Sequence, residues 1–118
     1  MVKIINIPKI QNLTGTISVI EKKIKFKIKR VYFIHKISGK RGGHKHKKTK
    51  QFLICVHGKC DLIVINRNIK KKYRLQNLKA GVLLEPNDWH EIKNISKNAI
   101  ICVLASEFYN KKDYIEKI

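Results

Sequence analysis

Short apolar runs separated by turn-forming residues are the feature that most constrains the fold of this chain. The runs are rich in β-branched and aromatic residues and shorter than ordinary helices, so each is read as a strand. They are Ile17–Ile20, Phe26–Ile34, Phe52–Val56, Leu62–Ile65, Val82–Leu84 and Ile100–Leu104. Turns are predicted between them at Ser38-Gly39, His57-Gly58-Lys59, Asn66-Arg67-Asn68, Lys79-Ala80-Gly81 and Pro86-Asn87-Asp88. Many short strands at regular spacing are typical of a sandwich or a barrel.

The stretch from Phe26 to Ile34 shows the strand alternation most clearly. Its even positions carry Phe, Ile, Arg, Tyr and Ile and share one face, whereas lysines at the odd positions 25, 27 and 29 occupy the other. No segment before residue 105 has a helical period, and at most one short helix is expected after Phe108. A length of 118 residues suits one domain, so residues 1–118 are predicted to form a single all-β domain.

Cysteine content and hydropathy bear on the compartment. The three cysteines, Cys55, Cys60 and Cys102, lie in or beside apolar runs, and they are predicted to be reduced core thiols. No apolar run reaches the roughly 18 residues that a membrane span needs. Residues 1–10 lack the continuous apolar segment of a signal peptide. A cytoplasmic protein without a membrane partner is expected.

The formal net charge of +19 has two interpretations. The first is an anionic partner such as nucleic acid, an anionic membrane surface or a phosphorylated small molecule. The second is compositional, because lysines on solvent-facing positions raise solubility without specifying a partner. We favour the second for most lysines, and nucleic acid is not expected to be a partner. The few arginines are better candidates for phosphate contacts, since a guanidinium matches phosphate oxygens geometrically.

A histidine pair marks the candidate site. His44 and His46 alternate with Lys45, so on a strand they point the same way, and Gly42 and Gly43 before them permit a close backbone approach. Gln51 follows, and His90 lies within a later Trp-His-Glu triplet. Two adjacent imidazoles with pKa values near neutrality indicate proton chemistry or metal binding.

The same residues resemble the two signatures of the cupin jelly-roll barrel. The first is matched by His44, His46, Gln51 and Gly58, and the second, more loosely, by Gly81, Pro86, His90 and Asn94. Metal-dependent cupins use three histidines and a carboxylate, but this chain has the neutral Gln51 in the carboxylate position, beside the cationic Lys50. Losing the anionic ligand removes attraction for a divalent ion, so no metal is predicted and the histidines are assigned to acid/base work.

A narrower resemblance is to the sugar 3,4-ketoisomerases that act on dTDP-4-keto-6-deoxyglucose. It rests on Arg30-Val31-Tyr32, Arg41 to His46, Gly58-Lys59-Cys60, Pro86-x-x-Trp89-His90-Glu91, Val103 to Ser106, Tyr109 and Asp113-Tyr114-Ile115. The resemblance implies a cupin with a short helical or irregular C-terminal tail. It also implies a carbonyl moved from carbon 4 to carbon 3 without metal or cofactor. A homodimer, often with an N-terminal strand exchanged, is implied too, as is a product that feeds 3-amino-3,6-dideoxyhexose synthesis for surface glycans.

Isomerising an α-hydroxy ketone through an enediol needs a base at carbon 3 and a route for protons between the oxygens, and a histidine suits both tasks. By resemblance His44 is the principal base and His46 shuttles protons, although exchanging their roles fits the sequence equally well. Tyr32 is predicted to hydrogen-bond the enediol, and Arg41 to stabilise its developing charge.

The remaining candidates concern substrate binding. Arg30 and Arg41 are the best pyrophosphate candidates, with Lys50 a weaker one for which a solvated strand position is slightly favoured. Gln51 is predicted to form a hydrogen bond either with the sugar or with a neighbouring core residue. Trp89 is predicted to be a core or rim aromatic residue in preference to a ring that stacks on the thymine of the substrate. His90 is predicted either to line the pocket or to be a hydrogen-bonded histidine of the barrel. Tyr109 and Tyr114 are expected to pack the C-terminal segment.

Two other functions compete with the ketoisomerase interpretation. One is a metal-dependent cupin oxygenase or isomerase. The other is a basic module that binds nucleic acid or sugar, a hypothesis that rests on the net charge of +19. Spacing alone does not specify which face of carbon 4 receives the proton, so both the galacto and the gluco product are compatible with the sequence.

Overall fold

The computed structural model describes residues 2–118, whose regular secondary structure is almost entirely β. The elements in chain order are β1 (Lys3–Asn6), β2 (Lys9–Asn12), β3 (Gly15–Ser18), β4 (Arg30–Ile34), β5 (Arg41–His46), β6 (Gln51–His57), β7 (Lys59–Asn66), β8 (Ile69–Gln76), β9 (Ala80–Leu84), β10 (Trp89–Lys93), β11 (Ile100–Ala105), a 3₁₀ helix (Lys111–Asp113) and β12 (Tyr114–Ile115). The predictions of an all-β chain and of one short helix in the tail are confirmed.

Two five-stranded antiparallel sheets form the body of the protein. The first has the strand order β1-β9-β6-β11-β4 and the second β12-β5-β10-β7-β8, while β2 and β3 form a separate hairpin. This arrangement is that of a jelly roll, as predicted. It is not a closed barrel, because within residues 2–118 the two sheets are not joined to each other by strand pairing.

The core lies between the sheets. Alternate residues of β6, β9 and β11 from the first sheet meet those of β7, β8 and β10 from the second. The innermost side chains include Leu53, Leu62, Val82 and Ile101, and burial of such residues is the main stabilising contribution. The predicted core thiols Cys55, Cys60 and Cys102 are buried and unbridged.

One predicted turn is wrong. The chain reverses at Asn77 and Leu78, which have positive φ values of 42° and 60°, and not at Lys79-Ala80-Gly81. Gly81 lies inside β9, where the Phe52 ring occupies the space that a Cβ atom would need. The glycine is therefore required for close packing within the sheet and not for a turn.

Strand boundaries also differ from the predicted runs. The run Phe26–Ile34 is a strand only from Arg30, and residues 26–29 lie outside the sheets. Strand β8 lies outside every predicted run, because three consecutive exposed lysines interrupt its apolar pattern. It is the edge strand of its sheet, and an edge strand tolerates lysine readily.

The C-terminal tail returns to the second sheet. Tyr114 pairs with His46 and Ile115 with Lys45, so the tail adds β12 to the edge of β5. This pairing brings residues that are almost seventy positions apart in sequence to the same end of the sandwich. Among the described residues, no helix is long and apolar enough to cross a bilayer.

Candidate active site

A half-open cavity of about 520 Å³ lies where the β4 edge of the first sheet faces β5 and β10 of the second. Its lining includes Arg30, Tyr32, Arg41, His44, Gln51, His90, Tyr109 and Tyr114. Most residues singled out from the sequence are therefore brought together in one place.

Three histidines lie together here: His44 and His90 line the cavity, and the buried His46 lies next to both of their rings. His44 and His90 are directly paired across β5 and β10, and His46 lies two residues along the same face of β5. One ring nitrogen from each of the three residues lies within 4.8 Å of the others. Gly42 makes the approach of the two strands possible, since a Cβ atom there would lie 2.9 Å from the carbonyl oxygen of His90.

His46 is held by Asp113 from the tail. The Nδ1 of His46 lies 2.9 Å from Oδ2 of Asp113, and the same carboxylate accepts hydrogen bonds from the Thr49 hydroxyl and from the Lys48 backbone N–H. A carboxylate only accepts, so Nδ1 of His46 carries the proton and Nε2 offers its lone pair. That Nε2 is buried without a hydrogen-bond partner in the described chain.

The other two imidazoles are also kept neutral at physiological pH. His90 is buried, and its Nδ1 lies 3.0 Å from the carbonyl oxygen of Asp88, which again leaves Nε2 as the acceptor. Burial lowers the pKa of His90 to about 4. Burial and the nearby charge of His46 lower the pKa of His44, and burial lowers that of His46 despite the raising effect of Asp113.

Tyr32 is positioned as a hydrogen-bond donor. The Nε2 of Gln51 donates to the Tyr32 hydroxyl at 3.0 Å, so the tyrosine proton is free to point elsewhere. Burial, with a contribution from Tyr114, raises the pKa of Tyr32 to about 12, so the hydroxyl stays protonated. The Oε1 of Gln51 is buried and lacks a partner among residues 2–118, so this amide retains one acceptor.

Two arginines lie at the cavity mouth. The guanidinium of Arg30 packs over the Tyr32 ring at 4.8 Å and over the Tyr109 ring at 5.7 Å from the ring centroids. Arg41 is exposed at the start of β5 and lines the same cavity. The mouth therefore carries two positive charges on the side from which an anionic ligand would enter.

Besides the buried His46, two candidates from the sequence lie outside the cavity lining. Lys50 is exposed, and its backbone N–H bonds the Ser106 hydroxyl. Trp89 precedes His90 in β10 and so faces the opposite side of the sheet, where its indole N–H donates to the carbonyl oxygen of Glu116.

Sequence reasoning missed two residues of the tail. Asp113 orients His46, and the Tyr114 ring lies 4.7 Å from the His44 ring and 4.5 Å from the His46 ring between centroids. Tyr109 and Tyr114 do pack against each other in the tail, with ring centroids 5.9 Å apart, and both also line the cavity. The Asp-Tyr-Ile triplet is part of the sequence motif, but no local feature relates it to β5.

Comparison with known proteins shows the family of this chain. A family model described as FdtA: WxcM-like, C-terminal, matches residues 1–118. The chain belongs to the FdtA family. It is 40% identical over 119 residues to the TDP-4-oxo-6-deoxy-alpha-D-glucose-3,4-oxoisomerase of Aneurinibacillus thermoaerophilus. The alignment covers 98% of this chain and 86% of that protein.

Solved structures agree with the sequence relationship. A 3,4-ketoisomerase from Helicobacter canadensis superposes with a TM-score of 0.93 at 34% identity, over 98% of this chain and 90% of that one. A point mutant of the 3,4-ketoisomerase QdtA from Thermoanaerobacterium thermosaccharolyticum, in complex with TDP-4-keto-6-deoxyglucose, superposes with a TM-score of 0.91 at 34% identity, over 98% and 87%. These relatives favour a ketoisomerase over a metal-dependent oxygenase or a basic binding module.

The donor set of a metal-dependent cupin is incomplete in this FdtA-family member. Three imidazoles are present, but the cavity lining contains no Asp or Glu among the described residues, and Gln51 offers only a neutral amide. Arg30 and Arg41 line the same cavity and disfavour a cation there. No step of the reaction proposed below therefore passes through a metal.

Proposed function

We propose that this protein moves the carbonyl of TDP-4-keto-6-deoxyglucose from carbon 4 to carbon 3 through an enediol, without a metal. The observation that carries the proposal is the contact between the cavity-lining His44 and the Asp113-oriented His46, whose ring centroids are 5.2 Å apart, in a chain 40% identical to a 3,4-oxoisomerase. The substrate class follows from that relative and from the QdtA complex with TDP-4-keto-6-deoxyglucose.

In the proposed reaction His44 acts at carbon 3. Its half-buried ring has no hydrogen-bond partner among the described residues, and its lowered pKa leaves it unprotonated at neutral pH. It removes the carbon 3 proton, and the negative charge that develops on the carbon 4 oxygen is stabilised by the Tyr32 hydroxyl and by Arg41.

His46 completes the proton balance. Its Nε2 lone pair takes the proton from the carbon 3 hydroxyl as that oxygen becomes the new carbonyl. The protonated His46 returns its proton to the carbon 4 oxygen, and the protonated His44 delivers its proton to carbon 4 in place of the one lost at carbon 3. Each proton removed is thus matched by one returned, and the reaction needs no oxidant or reductant.

The nucleotide end of the substrate is assigned to the cavity mouth. Arg30 and Arg41 bind the pyrophosphate, because a guanidinium pairs with phosphate oxygens in two parallel hydrogen bonds. The free Oε1 of Gln51 accepts from a sugar hydroxyl, and His90 forms the cavity wall. Lys50 and Trp89 are left out of the proposed site because Lys50 is exposed to solvent and Trp89 faces the opposite side of its sheet from His90.

We also propose a cytoplasmic homodimer whose product serves 3-amino-3,6-dideoxyhexose synthesis. Val31 and Phe33 on edge strand β4 are 52% and 58% exposed, and Ile10 and Ile17 on the β2–β3 hairpin are exposed as well, which supports a partner surface. In the single chain β1 pairs with its own β9, so strand exchange would replace this pairing by the same register between subunits.

The function is tested by proton NMR in deuterated water with TDP-4-keto-6-deoxyglucose and excess EDTA. We expect loss of the carbon 3 proton signal and the appearance of a 3-keto species, whose couplings give the configuration at carbon 4. Metal addition is expected to bring no increase in rate. Folded protein that turns over only after metal addition would contradict the metal-free reaction, and no turnover in either condition would contradict the ketoisomerase assignment.

Tyr32→Phe tests the proposed hydrogen-bond donor. The change removes one hydrogen bond to a developing charge, so we expect kcat to fall by about 10- to 100-fold with little change in KM. The phenyl ring preserves the packing of Arg30 over the aromatic face. A rise in KM at unchanged kcat would mean that Tyr32 binds the ground state and does not stabilise the enediol.

A further inference from the structure

We propose that Tyr114 is a further catalytic residue, which carries protons between the sugar oxygens and the buried His46. This inference rests on the proposed function, because that reaction needs His46 to exchange protons with the substrate. Yet His46 is only 3% exposed, and its side chain does not line the cavity. Its Nε2 is buried and lacks a hydrogen-bond partner among residues 2–118. A base that the substrate does not touch needs a group between the two.

Tyr114 both contacts His46 and lines the cavity. Its ring centroid lies 4.5 Å from that of His46 and 4.7 Å from that of His44. The backbone fixes this contact, because Tyr114 pairs directly with His46 across β12 and β5. The Tyr114 hydroxyl also lies near that of Tyr32, since the negative charge of an ionised Tyr114 contributes to the raised pKa of Tyr32. The phenol is thus placed beside both the sugar and the buried base.

The other two aromatic neighbours of His46 in the cavity lining are less suited to this transfer. His44 is already assigned the proton of carbon 3. His90 bonds the Asp88 carbonyl oxygen through Nδ1, so its neutral ring has only an acceptor at Nε2 and cannot donate to His46 from there. Its ring centroid also lies 6.0 Å from that of His46. A hydroxyl donates and accepts at once, so Tyr114 is the neighbour that can pass a proton on.

This relay conserves atoms and charge. As carbon 3 becomes the carbonyl carbon, the Tyr114 oxygen takes the proton of the carbon 3 hydroxyl while its own proton passes to Nε2 of His46. The tyrosine stays neutral, and the positive charge on His46 is balanced by the Asp113 carboxylate. The two transfers then run in reverse to the neighbouring oxygen on carbon 4. The hydrogen bond from Tyr114 to Nε2 forms in the substrate complex, because catalytic hydrogen bonds often tighten only there.

Tyr114→Phe tests the relay, because it removes the hydroxyl and keeps the ring that contacts both histidines. We expect kcat to fall by about 10²-fold or more, measured as formation of the 3-keto sugar with saturating substrate. Exchange of the carbon 3 proton in deuterated water is expected to persist, because His44 still removes that proton. Persisting exchange also shows that the variant is folded and binds substrate. The matched control Tyr73→Phe, on β8 and outside the cavity lining, is expected to behave as the wild type.

A double mutant separates the relay from a purely structural role. Residues that act in one step are not additive, so adding Tyr114→Phe to His46→Asn is expected to cause little further loss of kcat. Losses that multiply would mean that Tyr114 acts independently of His46, and would overturn the proposal. An unchanged kcat in Tyr114→Phe, or loss of carbon 3 exchange together with turnover, would overturn it as well. An inactive wild type would contradict the proposed function and the relay with it, whereas a fully active Tyr114→Phe variant would contradict the relay alone.

Discussion

Replacing His44 by asparagine is expected to lower kcat by about 10²- to 10⁴-fold, the contribution of one well-placed acid/base group. His44 lies between the Tyr114 ring and His90, its pairing partner on β10. It is the least buried of the three histidines. Asparagine preserves the size and polarity of the side chain but has no lone pair of comparable basicity. The rate is measured as formation of the 3-keto sugar with saturating substrate.

Hydrogen exchange separates the two histidine roles. In deuterated water His44→Asn is expected to lose the exchange of the carbon 3 proton, whereas His46→Asn is expected to retain part of that exchange while forming little product. The reverse pattern would assign the base to His46. The exposed His57→Asn variant is the control and is expected to behave as the wild type. Near-wild-type activity of His44→Asn would exclude its assignment as the base.

The local sequence pattern predicts the centre of the site, which is the pair His44 and His46. Alternation along a strand places His44 and His46 on one face, and the glycines before them allow β5 to approach β10. The same rule also bears on Trp89, because a residue next to His90 in a strand faces the opposite side of the sheet. The sequence alone therefore excludes Trp89 from the sheet face that carries His90.

Long-range pairing accounts for what sequence reasoning missed. Asp113 bonds His46 across 67 positions, and the contact exists because β12 pairs with β5. No local pattern predicts which strand a two-residue segment will join, since that depends on the free edge left by the rest of the sheet. Gly81 is a similar case, because its need for glycine comes from the Phe52 ring on a neighbouring strand and not from its own φ.

The charge of +19 has a structural counterpart on the surface. Of the eight acidic residues, Asp61 and Asp88 are buried, and Asp113 is largely enclosed by its hydrogen-bond partners. Several carboxylates are thus committed to internal contacts, while the lysines of β8 are exposed. The surface is therefore more basic than the composition indicates, although the lysines of β8 lie at the edge of the sheet opposite to β5 and the cavity.

Asp113→Asn is expected to lower kcat by about 10³- to 10⁴-fold, although Asp113 itself is proposed only to position His46. The carboxylate can only accept, so it fixes the proton of His46 on Nδ1 and leaves the lone pair on the buried, unpartnered Nε2. An asparagine amide can donate to Nδ1 instead, which moves the ring proton to Nε2 and removes the base. Nitrogen chemical shifts of the imidazole report this exchange of tautomers.

The pH profile distinguishes this role from a purely structural one. Asp113 raises the pKa of His46 by its hydrogen bond and charge, against the larger lowering by burial. Without the carboxylate the pKa of His46 falls further, so the acidic limb of kcat/KM moves to lower pH while the plateau drops. Asp113→Glu, which keeps an accepting carboxylate, is expected to recover much of the rate. A uniform loss with an unshifted limb in both variants would mean that Asp113 only anchors β12 and does not control the proton of His46.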